Sequence, residues 1–146
     1  MKTYFHCSPI LLGAGSIIEP GNWGRMLSSY TKMDFKLWRE SFLEYVRQQI
    51  SPDKPSRLHA VFLLESLQDA ITYRDIYASG TLVYEVTADL EVHRTHRGCY
   101  NFDFVTGVDP LEHFRQIAEA YWTTEPISQV EIVTEGAVHV VGRREK

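Results

Sequence analysis

Cysteine is scarce in this chain: only Cys7 and Cys99 carry a thiol. Two isolated cysteines exclude a disulfide-framed secreted scaffold and point to a reducing, cytoplasmic setting. Each reads most simply as a small buried hydrophobe. Long apolar runs are also missing. The longest, PILLGAGSII, is short and broken by glycines, which excludes a membrane-spanning helix. Met-Lys leads directly into a strand-like TYF, so no signal peptide is expected. Nor is there an excess of positive charge. A net charge of −4 gives no general attraction to phosphate backbones, so bulk nucleic-acid binding is not expected. Two local segments, HRTHRG (93–98) and GRREK (142–146), are nevertheless basic.

What is present fits one domain over residues 1–146. The length is enough to bury a core, and 44% hydrophobic with 23% charged residues is ordinary for a globular protein. KTYFHCS reads as a first strand ended by Ser-Pro. A Gly-, Pro-, Asn- and Ser-rich loop is expected to about Met33, and Trp23 and Tyr30 mark it as packed. From Asp34 to Ile50, the apolar positions Phe35, Trp38, Phe42, Tyr45, Val46 and Ile50 recur at helical spacing. SPDKPSR ends that helix with prolines. LHAVFLLE reads as a buried strand, and Ser66 with Asp69 starts a helix running to about Ala78. GTLVYEVTADLEV is a further strand running into the basic loop HRTHRG. Asp109, Pro110 and Glu112 open another helix with one face formed by Leu111, Phe114, Ala118 and Tyr121. Two closing strand-like runs around Glu135-Gly136 predict a hairpin. The order β, loop, α, β, α, β, α, β-hairpin favours an α+β fold with a mixed sheet.

Known chemical motifs are mostly absent. Gly13-Ala14-Gly15 hints at a dinucleotide loop, but Ile18 stands where a third glycine is needed, and IIEPGNWG does not read as a helix. His93, His96 and Cys99 have the spacing H-x2-H-x2-C, which could supply three metal ligands. No fourth ligand is evident, and Arg94 and Arg97 would set positive charge beside a cation, so a solvated basic loop is the stronger reading and no metal is expected. His59, His113 and His139 read as packing or surface residues. His6 alone would be a satisfied core histidine, but its setting gives it further meaning.

His6-x-Ser8, followed by Leu12, Gly15, Ile18 and Pro20-Gly21, closely resembles the start of bacterial ADP-ribosyltransferases of the rifampicin-modifying type. AVFLLESLQDA looks like the second strand and following helix of that family, and YWTTEPISQVEIV is similar to its late segment. The helix at 34–50 and the region 94–120 have no counterpart, which marks a distinct branch. The resemblance implies a split mixed β-sheet with flanking helices, NAD as co-substrate and cleavage of the nicotinamide–ribose bond. His6 would bind ribose hydroxyls of the adenosine half, with Ser8 adding a bond at the same end. Phe62 falls on the aromatic position that packs on nicotinamide, although the family often has Tyr there. Glu131, in SQVEIVTEG, resembles the late acid of poly(ADP-ribose) polymerases, which grips a ribose hydroxyl and steadies developing positive charge.

Glu135, Asp103 and Glu91 are weaker candidates for that acid. Arg57 would either anchor a pyrophosphate or sit exposed on the surface. The expected function is NAD-dependent mono-ADP-ribosyl transfer to an acceptor that the sequence leaves open: small molecule, protein or nucleic acid. A binding module for NAD or ADP-ribose that has lost its chemistry is the non-enzymatic alternative. An RNA 2′-phosphotransferase on the same fold is a second enzymatic one, disfavoured by the net acidity.

Overall fold

The computed structural model describes residues 1–103 and 107–144. The elements are β1 (Lys2–Ser8), β2 (Ile17–Ile18), α1 (Asn22–Ser28), α2 (Phe35–Ile50), a 3-10 turn (Arg57–His59) and β3 (Val61–Leu63). They continue with α3 (Leu67–Tyr77), β4 (Leu82–Ala88), β5 (Thr95–Cys99), α4 (Pro110–Thr123), β6 (Val130–Thr134) and β7 (Val138–Arg143). The class is α+β, as expected from the sequence.

The helices start where short polar side chains can satisfy their first free amides. Asp34 accepts from the amides of Lys36 and Leu37, and Asp109 from those of Leu111 and Glu112. Ser66 accepts from the amide of Asp69, as the sequence implies. Each such cap stabilises its helix by about 1 kcal/mol. The N-terminal segment is less irregular than expected. β2 and α1 form inside it, because the Gly15 amide donates to Val140 and folds the loop back onto β7. Gly21 then enters α1 at φ 102°, a conformation glycine adopts without strain. That geometry is invisible to residue periodicity, which is why IIEPGNWG does not read as a helix.

Strands are arranged in two sheets, one ordered β1-β4-β7-β2 and one ordered β3-β6-β5. Every described ladder is antiparallel, where a mixed sheet was expected. The predicted hairpin at Glu135-Gly136 is not formed. β6 pairs with β3 and β5, whereas β7 pairs with β4 and β2, so this turn carries the chain from one sheet to the other. The segment HRTHRG is also corrected: residues 95–99 are β5, an edge strand, rather than a solvated loop.

Alternation along the strands builds two apolar clusters. Val61, Leu63, Tyr84, Val86, Ile132, Val138 and Val140 meet in one, which joins faces of the two sheets. Leu43, Val83, Phe114, Tyr121, Trp122 and Val133 belong to the other, where the helices cover the outer faces. Trp122 is fully buried and its indole N–H donates to the Leu43 carbonyl at 2.9 Å, tying α4 to α2. The buried side of α2 is turned from the face its apolar residues suggest. Phe35, Tyr45 and Ile50 are exposed, while Glu40 is buried beside Leu43 and Val46 on the inner stripe. That buried acid leads to the site. No described helix is long and apolar enough to cross a membrane.

Candidate functional site

The two sheets approach each other edge to edge between β1 and β3, where a short seam joins them. Phe5 and Leu64 exchange both backbone hydrogen bonds there, at 2.9 and 2.8 Å. Two residues back along β3, the Phe62 carbonyl accepts from His6 Nδ1 at 2.8 Å. A carbonyl only accepts, so Nδ1 carries the proton and Nε2 is left as the acceptor nitrogen. Burial pushes the His6 pKa below the usual histidine value, against the smaller opposing effect of the Phe62 bond, so the ring is neutral. His6 therefore continues the ladder that Phe5 begins. It has a structural task as well as a free acceptor.

Ser8 lies two residues further on the same face of β1. It is buried, and its Oγ accepts weakly from the Ile10 amide at 3.4 Å. The His6 partner across the ladder is Tyr84, whose hydroxyl donates to the Ile10 carbonyl and accepts from the Leu12 amide. Tyr84 thus straps down the loop that follows β1.

On the helical side of β3 the Phe62 ring lies against the Arg57 guanidinium, 4.8 Å from carbon to centroid. Arg57 is not an exposed surface residue. It is 6% exposed, and each of its three guanidinium nitrogens donates to a neighbour. Nε and Nη2 make a two-pronged bond to Glu40 at 2.8 and 2.9 Å. Nη1 donates to Glu131 Oε2 at 2.8 Å and to the Tyr121 hydroxyl at 2.9 Å. Phe102 and Tyr121 add ring contacts to the same guanidinium, at 5.3 and 5.2 Å. Burial alone would weaken the charge on Arg57, but Glu131 and Glu40 outweigh it and the group stays protonated.

Two buried carboxylates share this one guanidinium, and their environments push them apart. Burial raises both. For Glu40 the charge and hydrogen bonds of Arg57, the nearby Arg39 and the Trp23 side chain overcome that effect, so its pKa falls below the ordinary value. Glu131 has only one Arg57 contact and also feels the negative charge of Glu40, so burial wins and its pKa is raised. The outcome is one firmly ionised acid and one that holds a proton more readily. Burial also raises the Tyr121 hydroxyl and pushes Tyr73 up to about 12, so both stay neutral.

Glu131 is placed here by β6, whose alternation puts it with Val133 on the helical face, opposite Ile132. Its cross-strand neighbour is Gly98. A Cβ at Gly98 would stand 2.3 Å from the Tyr121 ring, so the glycine is what lets Tyr121 reach Arg57 over β5.

The other candidate acids lie elsewhere. Glu135 forms a two-pronged bridge to Arg94 at the surface. Asp103 and Glu91 are exposed. His93, His96 and Cys99 do not converge. His96 bonds the Tyr121 carbonyl at 2.7 Å on the helical face, strand alternation sends Cys99 to the opposite face, and the His93 ring packs on Gly136. Among the described residues, no group of three His, Cys, Asp or Glu could hold a metal ion.

Thus strand alternation leaves the His6 side chain on the Tyr84 face, bonded to the Phe62 backbone carbonyl, while the Phe62 ring, Arg57 and Glu131 form one connected group on the helical face. Glu40 and Tyr121 complete it and were not singled out from sequence. Glu40 could have been found as a charge sharing the inner stripe of α2 with Leu43, one turn away. Nothing in the sequence marks Tyr121 as more than core.

No curated protein matches the chain. A family model described as "Protein of unknown function (DUF2441)" matches residues 13–146, so His6 and Ser8 precede the matched stretch. With all but its first twelve residues matched, the chain belongs to the DUF2441 family.

Proposed function

We propose that the chain binds NAD beside the seam between the two sheets, cleaves the nicotinamide–ribose bond and transfers ADP-ribose to an acceptor. The observation that carries this reading is the connected group itself. Phe62 of β3 and Glu131 of β6 meet at Arg57 on the helical face, and His6 of β1 is tied to the same strand through the Phe62 backbone carbonyl.

Under this reading His6 Nε2 accepts a hydroxyl of the adenosine ribose, and its neutral state suits that task. One side of the Phe62 ring rests on Arg57, and the remaining side packs on nicotinamide. Arg57 holds Glu131 Oε2, leaving Oε1 for the 2′-hydroxyl of the nicotinamide ribose. As the C–N bond breaks, its electron pair leaves with nicotinamide and the ribose gains positive charge, which the Glu131 carboxylate steadies. The acceptor then bonds to the ribose carbon and its proton passes to Glu131.

Arg57 supports this chemistry rather than gripping a pyrophosphate, since each of its nitrogens is already bonded within the protein. The test is release of nicotinamide from NAD by the purified chain, lost in both His6→Ala and Glu131→Gln. A second reading, a binder of NAD or ADP-ribose without cleavage, is favoured by one observation: Glu131 is only 5% exposed and already tied to Arg57. Binding of NAD without release of nicotinamide would select it.

A further inference from the structure

β5 lies at the end of its sheet, with β6 on one side and no described strand on the other. The Tyr100 amide donates to Gln129, and the Arg94 carbonyl accepts from Glu135. Even-numbered residues of this segment therefore turn their backbone groups toward β6. Antiparallel alternation then turns the N–H and C=O groups of Thr95, Arg97 and Cys99 outward. Two adjoining hollows of about 370 and 260 Å³ run beside this edge and share Thr124 and Glu125. Their far wall is the C-terminal part of α4 and the segment 124–128.

The two ends of the groove differ. Arg97 and Lys54, whose ammonium donates to the Trp122 carbonyl, stand at one. Ile117, Pro126 and the almost wholly exposed Ile127 stand at the other. Among the described residues Arg97 is bridged to the exposed Glu65 and Glu125, and exposed bridges of this kind exchange for a ligand carboxylate at little cost. Natural edge strands are commonly paired or covered, and a row of alternating donors and acceptors is matched by another strand rather than by a compact molecule.

We propose that the β5 edge receives an extended segment of a partner protein, with an acidic residue at the Arg97–Lys54 end and an apolar one at the Ile127 end. The segment adds a fourth strand to the β3-β6-β5 sheet. This site is separate from the His6 and Glu131 chemistry and stands whether or not NAD is cleaved.

The test uses two short capped peptides of alternating Val and Thr, with an Asp-Glu pair at the N-terminal end of one and the C-terminal end of the other. Amide hydrogen exchange is followed on the full chain. One peptide is expected to slow exchange at Thr95, Arg97 and Cys99 while leaving His96 and Gly98 unchanged. Arg97→Glu should weaken that peptide on the order of tenfold, and a Lys-Lys version should recover the loss. Methylating the backbone nitrogens of the peptide that face β5 should abolish binding. No protection from either peptide, or protection indifferent to Arg97 and to N-methylation, overturns the proposal. Protection that rises with protein concentration alone places a second copy on the edge and overturns it as well. A melting curve for Arg97→Glu shows whether any loss comes from misfolding.

Discussion

Arg57 Nη1 and Glu131 Oε2 lie 2.8 Å apart, both almost completely buried, with the Glu40 carboxylate bonded to the other side of the same guanidinium. This arrangement sets one cation between two anions at the place where α2, α4 and the smaller sheet meet. Burial, with the negative charge of Glu40 adding to it, raises the pKa of the less well-bonded acid, which is Glu131. A carboxylate that is held in position yet readily protonated is suited to taking and giving a proton. The same interactions hold the helices to the sheet, so the site and the fold share their strongest polar contacts.

Removing Glu40 tests that double role. Glu40→Ala leaves Arg57 buried with one carboxylate instead of two, and breaking a buried pair costs about 3–5 kcal/mol. Urea unfolding at pH 7 should show a loss in that range, with a smaller one for Glu40→Gln. The folded-state pKa of Glu40 is depressed, so its contribution is present above the unfolded-state value and fades as pH falls through the folded one. The gap between the wild type and Glu40→Gln should therefore narrow in acid. A gap that widens would contradict the assignment of Glu40 as the ionised partner.

Gly98→Ala should act on Tyr121. The added methyl would stand 2.3 Å from the Tyr121 ring, which must move off β5 and lose its bond to Arg57. Overpacking of this kind costs roughly 1–3 kcal/mol. Thermal melting should register it, and Gly98→Ala combined with Tyr121→Ala should recover part of the steric cost. Melting identical to the wild type would mean the ring is not wedged there.

Two histidines, the buried His96 and the half-buried His6, give the fold an acid limb. Burial lowers the pKa of His6, and that of His96 to about 4, while the bonds to the Phe62 and Tyr121 carbonyls oppose the shift less strongly. The unfolded chain binds these protons near pH 6.5, and the folded chain resists them. Stability should thus fall as pH drops from about 6.5 toward about 4, and His96→Gln should flatten that part of the curve. An unchanged slope in the variant would remove His96 as a source of the acid sensitivity.

The local elements were readable where a residue carries its own instruction. Asp34, Ser66 and Asp109 mark helix starts because a short side chain caps the next amides without distant help. The family resemblance singles out His6, Phe62 and Glu131; in the structure the Phe62 ring and Glu131 meet at Arg57 on the helical face, and His6 is tied to them at the Phe62 backbone carbonyl. What sequence did not disclose depends on pairing between distant strands. Glu135-Gly136 has hairpin chemistry, but β7 finds better partners in β4 and β2. HRTHRG reads as a polar loop because its apolar contact comes from the His96 ring against Trp122 and from the space Gly98 leaves for Tyr121. Arg57 reads as a pyrophosphate anchor or an exposed arginine, not as the centre of a buried cluster, because its neutralising acids lie 17 and 74 residues away.

The most direct measurement is free nicotinamide after incubation with NAD, for the wild type beside His6→Ala and Glu131→Gln, each first shown to be folded. Release by the wild type that both substitutions abolish is the predicted result. Release that persists in Glu131→Gln would remove Glu131 from the chemistry. No release from the folded wild type, with or without a lysate as acceptor source, would contradict the proposal of ADP-ribosyl transfer.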